Sequence, residues 1–408
     1  MTYAFHRRTL PNGLTIVAET SREAPSAAVG FFVRTGARDE SGELMGVSHF
    51  LEHMMFKGTA RRSADDVNRE FDEIGAKYNA YTSSEMTCFH AQVLPERLGE
   101  ATDILADILR PAIRQEDFDS EKGVILEEIA MYKDNPFWVL YEETIDRHYR
   151  PHGLAHRVLG TKETVGALTR GQMQAYFDDR YSADNTVVAL AGNVDVDRAC
   201  EEIGALTGAW KTTKPTRDTA RPALPKGETF TIEDEKVARA YWLLLAPAPG
   251  MSDERRYAAM MLALVLGGPD SSRLHWSLIE PGIAEEAQAS YDAHDGTGDY
   301  YVFFSCDPER AEEAQGIVLR EMDGLMKSLT EDDLTRLRNK LATSVALAGE
   351  RPGGRMQRLG RLWTYLRSHL SLEEELEAIN KVTLKDLRAV HEAFPFEPRT
   401  IGMLGPKA

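Results

Sequence analysis

The chain has 408 residues, more than one ordinary domain holds and suited to two of about 200 each. Its 42% hydrophobic and 28% charged residues, with 31 Gly and 18 Pro, describe a globular chain that can bury a core, which excludes collagen-like, disordered and disulfide-framework classes. A net charge of −17 with no clustered Lys/Arg face excludes a nucleic-acid binder; it permits steering of basic peptides, though such charge commonly serves solubility alone.

Periodicity predicts strands over residues 14–19 and 27–35, helices over 47–56 and 64–74, strands over 78–83 and 87–94, and a helix over 96–109. A long helix over 116–133, helical stretches over 140–149 and 169–181 and a strand over 186–191 follow. Residues 213–228, inside the proline-rich run KTTKPTRDTARPALPKGE, are expected to link a first domain, residues 1–212, to a second, residues 229–408. Adjacent strands among helices favour α+β over a doubly wound sheet. The opening order then recurs: AAVGFFVRT, a turn and a helix ending at Gly58 match AYWLLLA, a turn and a helix ending at Gly267 or Gly268. Laying Gly58 on Gly268 sets His49, Glu52 and His53 opposite Ala259, Leu262 and Ala263, so the first copy carries polar groups where the second carries core.

The start, MTYAFHRRTLPNGLTIVAET, has no apolar stretch leading to a cleavage site, and no run of eighteen apolar residues occurs, so a cytoplasmic protein without membrane association is expected. Cys88, Cys200 and Cys306 are far apart and lack C-x-x-C spacing, which makes them expected buried thiols. His148, His152 and His156 also recur at four, but Pro151 interrupts them and they are read as loop residues. Gly267-Gly268-Pro269 is read as a helix stop, and the stripe within 359–370 as core.

The chemistry concentrates in Ser48-His49-Phe50-Leu51-Glu52-His53. Histidines four apart stand one turn above each other on a helix, so two imidazole nitrogens reach one cation. Glu52 is near enough to that face to hold a carboxylate beside a metal-bound water without ligating the metal. The structural alternative is a pair of surface histidines on an amphipathic helix. In the helix over 116–133, an advance of about 100° per residue places Val124, Ile125, Ile129, Met131 and Tyr132 on one stripe, with Glu121 and Glu128 in its middle and Glu127 at its edge. Two carboxylates on a buried stripe need a cation or donors; alternatively the helix is rolled and both face water, since Leu126 leaves the stripe imperfect. A structural zinc site closes with four protein ligands, usually including cysteine, and none of the cysteines is near these segments. The reading is therefore a hydrolytic zinc site with one Zn2+ per chain. His49, His53 and Glu128 are its ligands, a zinc-bound water is the nucleophile, Glu52 is the general base, and Glu121 holds a ligand or Glu52 in place.

These residues resemble the pitrilysin/insulinase family of inverzincin metallopeptidases, especially short members similar to the mitochondrial processing peptidase β subunit. The matching stretches are LPNGLTIV, GVSHFLEHMMFKGT, Asn79-Ala80-Tyr81-Thr82, EKGVILEEIAMYKDNP and the Leu159-Gly160-Thr161 turn. The resemblance implies the same ligands, base and supporting acid, and two domains of like fold, each a mixed, mostly antiparallel sheet packed with helices. It also implies a closed chamber for unfolded peptides or oligopeptides, made by two such chains as a homodimer or as a heterodimer with a related subunit. Asn79, Ala80, Tyr81 and Thr82 look like the edge strand on which an extended peptide substrate adds to the sheet; on the residues alone they also read as an ordinary strand after the Gly75 turn. Ser271-Ser272-Arg273-Leu274 matches the family's second-domain start. The Arg and Tyr that most active relatives place seven residues apart just afterwards are missing, with Glu285 in the tyrosine's place. That pattern leaves two routes: a partner subunit supplies the pair, or Arg273, Tyr291 or Tyr300 substitutes. A noncatalytic assembly subunit is a further class, although all four chemistry positions are intact.

Overall fold

The structure, a computed structural model, describes residues 2–407. Strands β1 (Ala4–Thr9), β2 (Thr15–Thr20) and β3 (Ala27–Val33) lead to helices α1 (Val47–Met55) and α2 (Ala64–Glu73), then to β4 (Lys77–Thr82) and β5 (Thr87–Val93). Helices α3 (Leu98–Ile108), α4 (Gln115–Lys133), α5 (Pro136–Tyr149), α6 (Lys162–Ala167) and α7 (Arg170–Arg180) precede β6 (Thr186–Gly192) and α8 (Val196–Thr207). The second half runs β7 (Glu228–Glu233), β8 (Ala240–Ala248), α9 (Arg256–Gly267), β9 (Glu286–Ala293) and β10 (Gly298–Cys306). It ends with α10 (Ala311–Ser328), α11 (Glu331–Ala348), α12 (Pro352–Leu366), α13 (Leu372–Lys381), α14 (Leu384–Ala393) and β11 (Thr400–Gly405).

The first sheet has the order β1-β2-β6-β3-β5-β4 and is antiparallel except for β2 beside β6; the second has the order β7-β11-β8-β10-β9 and is antiparallel except for β7 beside β11. Replacing β2 to β6 by β7 to β11 in sequence order turns the first arrangement into the second, apart from the extra edge strand β1. The α+β class and the duplication are thus present in the topology. The inner strands β3 (AAVGFFV) and β6 (TVVALAG) are buried along their whole length, which is why they read as continuous apolar runs.

Two compact units emerge, and neither is one continuous stretch. The first comprises the described part of Met1–Ile129, with His156–Asp218 and Leu347–Leu370; the second comprises Ala130–Ala155, Thr219–Ala346 and the described part of Ser371–Ala408. The single cut expected at 213–228 differs from this division because each sheet has two apolar faces and needs helices on both. In the first unit, Met356, Leu359 and Trp363 of α12 close over Val17, Phe32, Cys88, Val187 and Ala189. In the second, Leu140 of α5 packs with Leu243, Leu245, Phe303 and Leu404. Each unit thereby takes one helix from the other half of the sequence.

Local expectations were mostly met within a residue or two, with instructive exceptions. Strand β1 and helices α6 and α8 went unpredicted, as did β7, β9, β10, β11, α10, α11, α13 and α14 of the second half. His148 is not a loop residue: it lies in the last turn of α5, buried, with Nδ1 3.1 Å from Thr400 Oγ1. The buried residues of α4 are Phe118, Glu121, Ile125 and Ile129, while Val124 and Met131 of the expected stripe are 45% and 63% exposed. Glu121 therefore sits inside the buried stripe and Glu128 on its flank, with Glu127 exposed. All three cysteines are buried free thiols, and among the described residues no helix is long and apolar enough to cross a membrane.

Candidate metal centre

Helix α1 has no side-chain cap of its own, because its N-cap is Gly46 at φ 96°, where a Cβ would stand 2.6 Å from the Leu159 carbonyl oxygen. The cap comes from Glu40, six residues upstream and buried. Its Oε2 accepts the Gly46 N–H and its Oε1 the Ser48 N–H, each at 2.7 Å. The Ser48 hydroxyl lies 2.8 Å from Tyr176 OH, which lies 2.9 Å from Thr35 Oγ1, so a buried hydroxyl chain ties the same turn to α7 and the end of β3. Apolar Val47, Phe50, Leu51, Met54 and Met55 fix the roll of α1 against the first core, which turns His49, Glu52 and His53 toward α4 and β4.

The His49 and His53 rings stand 4.7 Å apart between centroids. Glu128 Oε2 lies 3.8 Å from His49 Nε2 and 3.8 Å from His53 Nε2, and one ligand atom from each of the three residues falls within 4.8 Å of the others. A tetrahedral zinc ion with bonds of about 2.0–2.2 Å sets its ligand atoms roughly 3.4 Å apart, so this nitrogen, nitrogen and oxygen set fits the ion with little adjustment. Among the described residues no other cluster of three such donors forms.

Burial and the neighbouring His53 push the His49 imidazole down to about 4, so at physiological pH it is neutral, with the lone pair of one ring nitrogen available. For His53, burial pulls down but is outweighed by the hydrogen bond its ring donates to Glu121 and by the charges of Glu121, Glu128 and Glu52, and the ring is raised. Glu121 Oε1 is 2.8 Å from His53 Nδ1, while Glu121 Oε2 is 2.5 Å from Lys57 Nζ. Burial would raise the Glu121 carboxyl, but His53 and Lys57 hold it below its usual range. Glu121 thus fixes the His53 tautomer with Nε2 turned to Glu128. Glu52 reaches no ligand atom in this cluster; burial raises its carboxyl, and Thr82 Oγ1 donates to its Oε2 at 2.5 Å.

Asn79, Ala80, Tyr81 and Thr82 lie on β4, the outermost strand, which pairs only with β5 and leaves its other edge open. The candidates for the missing pair are otherwise engaged or buried. Arg273 donates to Asp333 Oδ2 and the Ser328 carbonyl, Tyr291 donates to the Pro249 carbonyl at 2.7 Å, and Tyr300 is 1% exposed. Glu285 pairs with Arg239. In the second copy Ala259, Leu262 and Ala263 are buried core, as the alignment of the two halves implies. Sequence reasoning missed Glu40, Lys57 and Tyr176. For Glu40 the available signal was a helix start with glycine at the cap and a carboxylate shortly before it.

Fold and site together describe a duplicated α+β chain with, among the described residues, one group of three side chains able to hold a metal ion, carried by one of its two copies. Residues 15–162 match the profile described as Insulinase (Peptidase family M16), and residues 167–341 match Peptidase M16 inactive domain. An uncharacterized zinc protease of Streptomyces coelicolor is 34% identical over 98% of this chain and 89% of its own length. One of Bacillus subtilis is 29% identical over 98% of both chains. A solved protease from Helicobacter pylori superposes with a TM-score of 0.93 at 20% identity, covering 99% of this chain and 100% of its own. The chain belongs to peptidase family M16, the insulinase family. Its relatives are named zinc proteases, and the His49, His53 and Glu128 group is compatible with zinc.

Proposed function

We propose that the protein is a zinc-dependent peptidase that hydrolyses peptide bonds of unfolded peptides or oligopeptides in the cytoplasm. The observation that carries this reading is the convergence of two imidazoles and one remote carboxylate at 3.8 Å, with a further carboxylate, Glu52, held beside them. His49, His53 and Glu128 would hold the zinc, which when bound supplies Lewis acidity toward a peptide carbonyl and toward water. Glu52 takes the proton from the attacking water and returns it to the departing amine; its raised carboxyl suits both duties. Thr82 aims Glu52 through its Oε2, and Glu121 with Lys57 keeps His53 Nε2 turned toward Glu128, where it would meet the metal. Backbone groups of Asn79, Ala80, Tyr81 and Thr82 take the substrate as an added strand. Buried free thiols agree with a reducing compartment. Glu52→Gln is the test: it retains one zinc per chain and loses peptide hydrolysis, and an active variant refutes the base assignment.

Chamber closure by two chains is part of this reading. A heterodimer in which a related partner supplies the Arg/Tyr pair is favoured over a self-sufficient homodimer by one observation: Arg273, Tyr291 and Tyr300 are each engaged elsewhere or buried, and Glu285 is paired with Arg239. Comparing hydrolysis by the chain alone with hydrolysis after adding candidate partner chains separates the two.

A further inference from the structure

Side chains of β4 alternate between two faces of the first sheet. Tyr78 and Ala80 pack on the core beneath α1 and Thr82 donates to Glu52, so this set faces the metal centre. Tyr81 faces the other way, where its hydroxyl donates to Gln357 Oε1 on α12 at 3.0 Å. Gln357, Arg361 and Tyr365 recur at intervals of four and share one flank of that helix. Tyr365 donates to Glu85 Oε2, at 2.8 Å, in the turn that follows β4. Arg361 lies between these two anchored neighbours, on the flank toward the end of the open strand. It is exposed, and among the described residues it has no hydrogen bond or ion pair, although its charge is felt by the phenols of Tyr81 and Tyr365. A guanidinium so placed keeps its forked donors free for a carboxylate.

We propose that Arg361 is a specificity-determining residue that pairs with an acidic side chain of a peptide seated on the open edge of β4. The position it reads points to the α12 face and so neighbours, in the peptide sequence, one that points to the metal centre. This inference rests on the peptidase reading above. The overall charge of −17 works in the opposite sense, attracting cations at long range. That field is screened beyond about 8–10 Å at physiological ionic strength, whereas a carboxylate on an added strand comes within direct reach of Arg361. The substrates favoured are therefore extended peptides, of any overall charge, with Asp or Glu at one position of the α12-facing set.

The test uses the full zinc-loaded chain and fluorescent decapeptides in which Asp or Lys is moved one position at a time. In the Glu52→Gln background the expected result is an Asp over Lys preference in binding of about fivefold at one position, reversed when Arg361→Glu is added and kept in sign by Arg361→Lys. An unchanged Asp/Lys ratio in the Arg361→Glu protein overturns the inference. Arg361 is exposed and unpaired, so that variant should melt with its parent. Hydrolysis of the same peptides by the wild-type chain is measured alongside. Arg361-dependent binding without hydrolysis, whether by the chain alone or with candidate partner chains added, supports the inference and refutes the peptidase reading. Hydrolysis with a preference indifferent to Arg361 overturns the inference alone, and no binding of any peptide overturns both.

Discussion

Glu40→Gln changes one atom of a residue that touches neither metal nor substrate, yet it should weaken the metal centre. Both carboxyl oxygens accept backbone N–H groups, from Gly46 and Ser48, at 2.7 Å. A glutamine of the same shape offers one oxygen and one NH2 to those two donors, so one buried amide N–H loses its acceptor. That costs about 2 kcal/mol, and for a domain of this size it lowers the melting temperature by roughly 4–8 °C. Loosening the turn that leads into His49 should also weaken zinc binding by about tenfold, the lower end of what outer groups contribute. Burial raises the Glu40 carboxyl from an ordinary 4.5 to about 8, against the pull of the Ser48 and Gly46 amides. An acid raised in the folded state contributes stability that is complete below its unfolded value and is lost as pH climbs through the folded one. In the metal-free protein the gap between wild type and Glu40→Gln should therefore be widest near pH 5 and narrow toward pH 8. Scanning calorimetry across that range and chelator competition at pH 7 supply the data. Equal melting temperatures at pH 5 together with equal zinc affinity would exclude Glu40 as the cap that holds α1 in place.

Other outcomes follow from the same contacts. Glu121→Gln removes the charge that holds His53 Nδ1 and Lys57, and should lower zinc affinity by about 10–100-fold in a chelator competition while the fold survives. Thr82→Val deletes the donor to Glu52 and should cut kcat/KM by about tenfold to a hundredfold, the equivalent of a hydrogen bond to a charged group, with zinc content unchanged. Burial lowers His148 and His391 below the ordinary 6.5; bases depressed in the folded state stabilise fully above 6.5 and lose that contribution as pH falls toward their folded values. The second unit should accordingly melt earlier at pH 5.5 than at pH 7.5, and His148→Gln should reduce the difference.

The convergence of His49 and His53 was legible because it depends on spacing: the two share a face at four residues in any helix, and the second copy of the repeat has apolar residues at the equivalent places. Central strands such as β3 were legible because burial on both faces leaves a continuous apolar run. What escaped depends on contacts distant in sequence. Strand β1 is exposed along most of its length and carries no run of its own; pairing with β2 makes it a strand. The exchange of α5 and α12 between the units follows from the need to cover both faces of each sheet, which no local pattern encodes. Glu40 looks like any loop carboxylate until the chain brings it to an uncapped helix start. The expected α4 stripe erred because Val124 and Met131, though apolar, remain exposed, so the true buried line runs through Phe118, Glu121, Ile125 and Ile129.

X-ray absorption at the zinc edge of the purified, zinc-loaded protein addresses the coordination directly. The expected spectrum shows one zinc per chain with two imidazole nitrogens at about 2.0–2.1 Å, a carboxylate oxygen at about 2.0–2.2 Å and one exchangeable oxygen, with the imidazole signal lost in His49→Ala and His53→Ala. A sulfur neighbour at about 2.3 Å, or full zinc content in a chain lacking His49, His53 and Glu128, contradicts it.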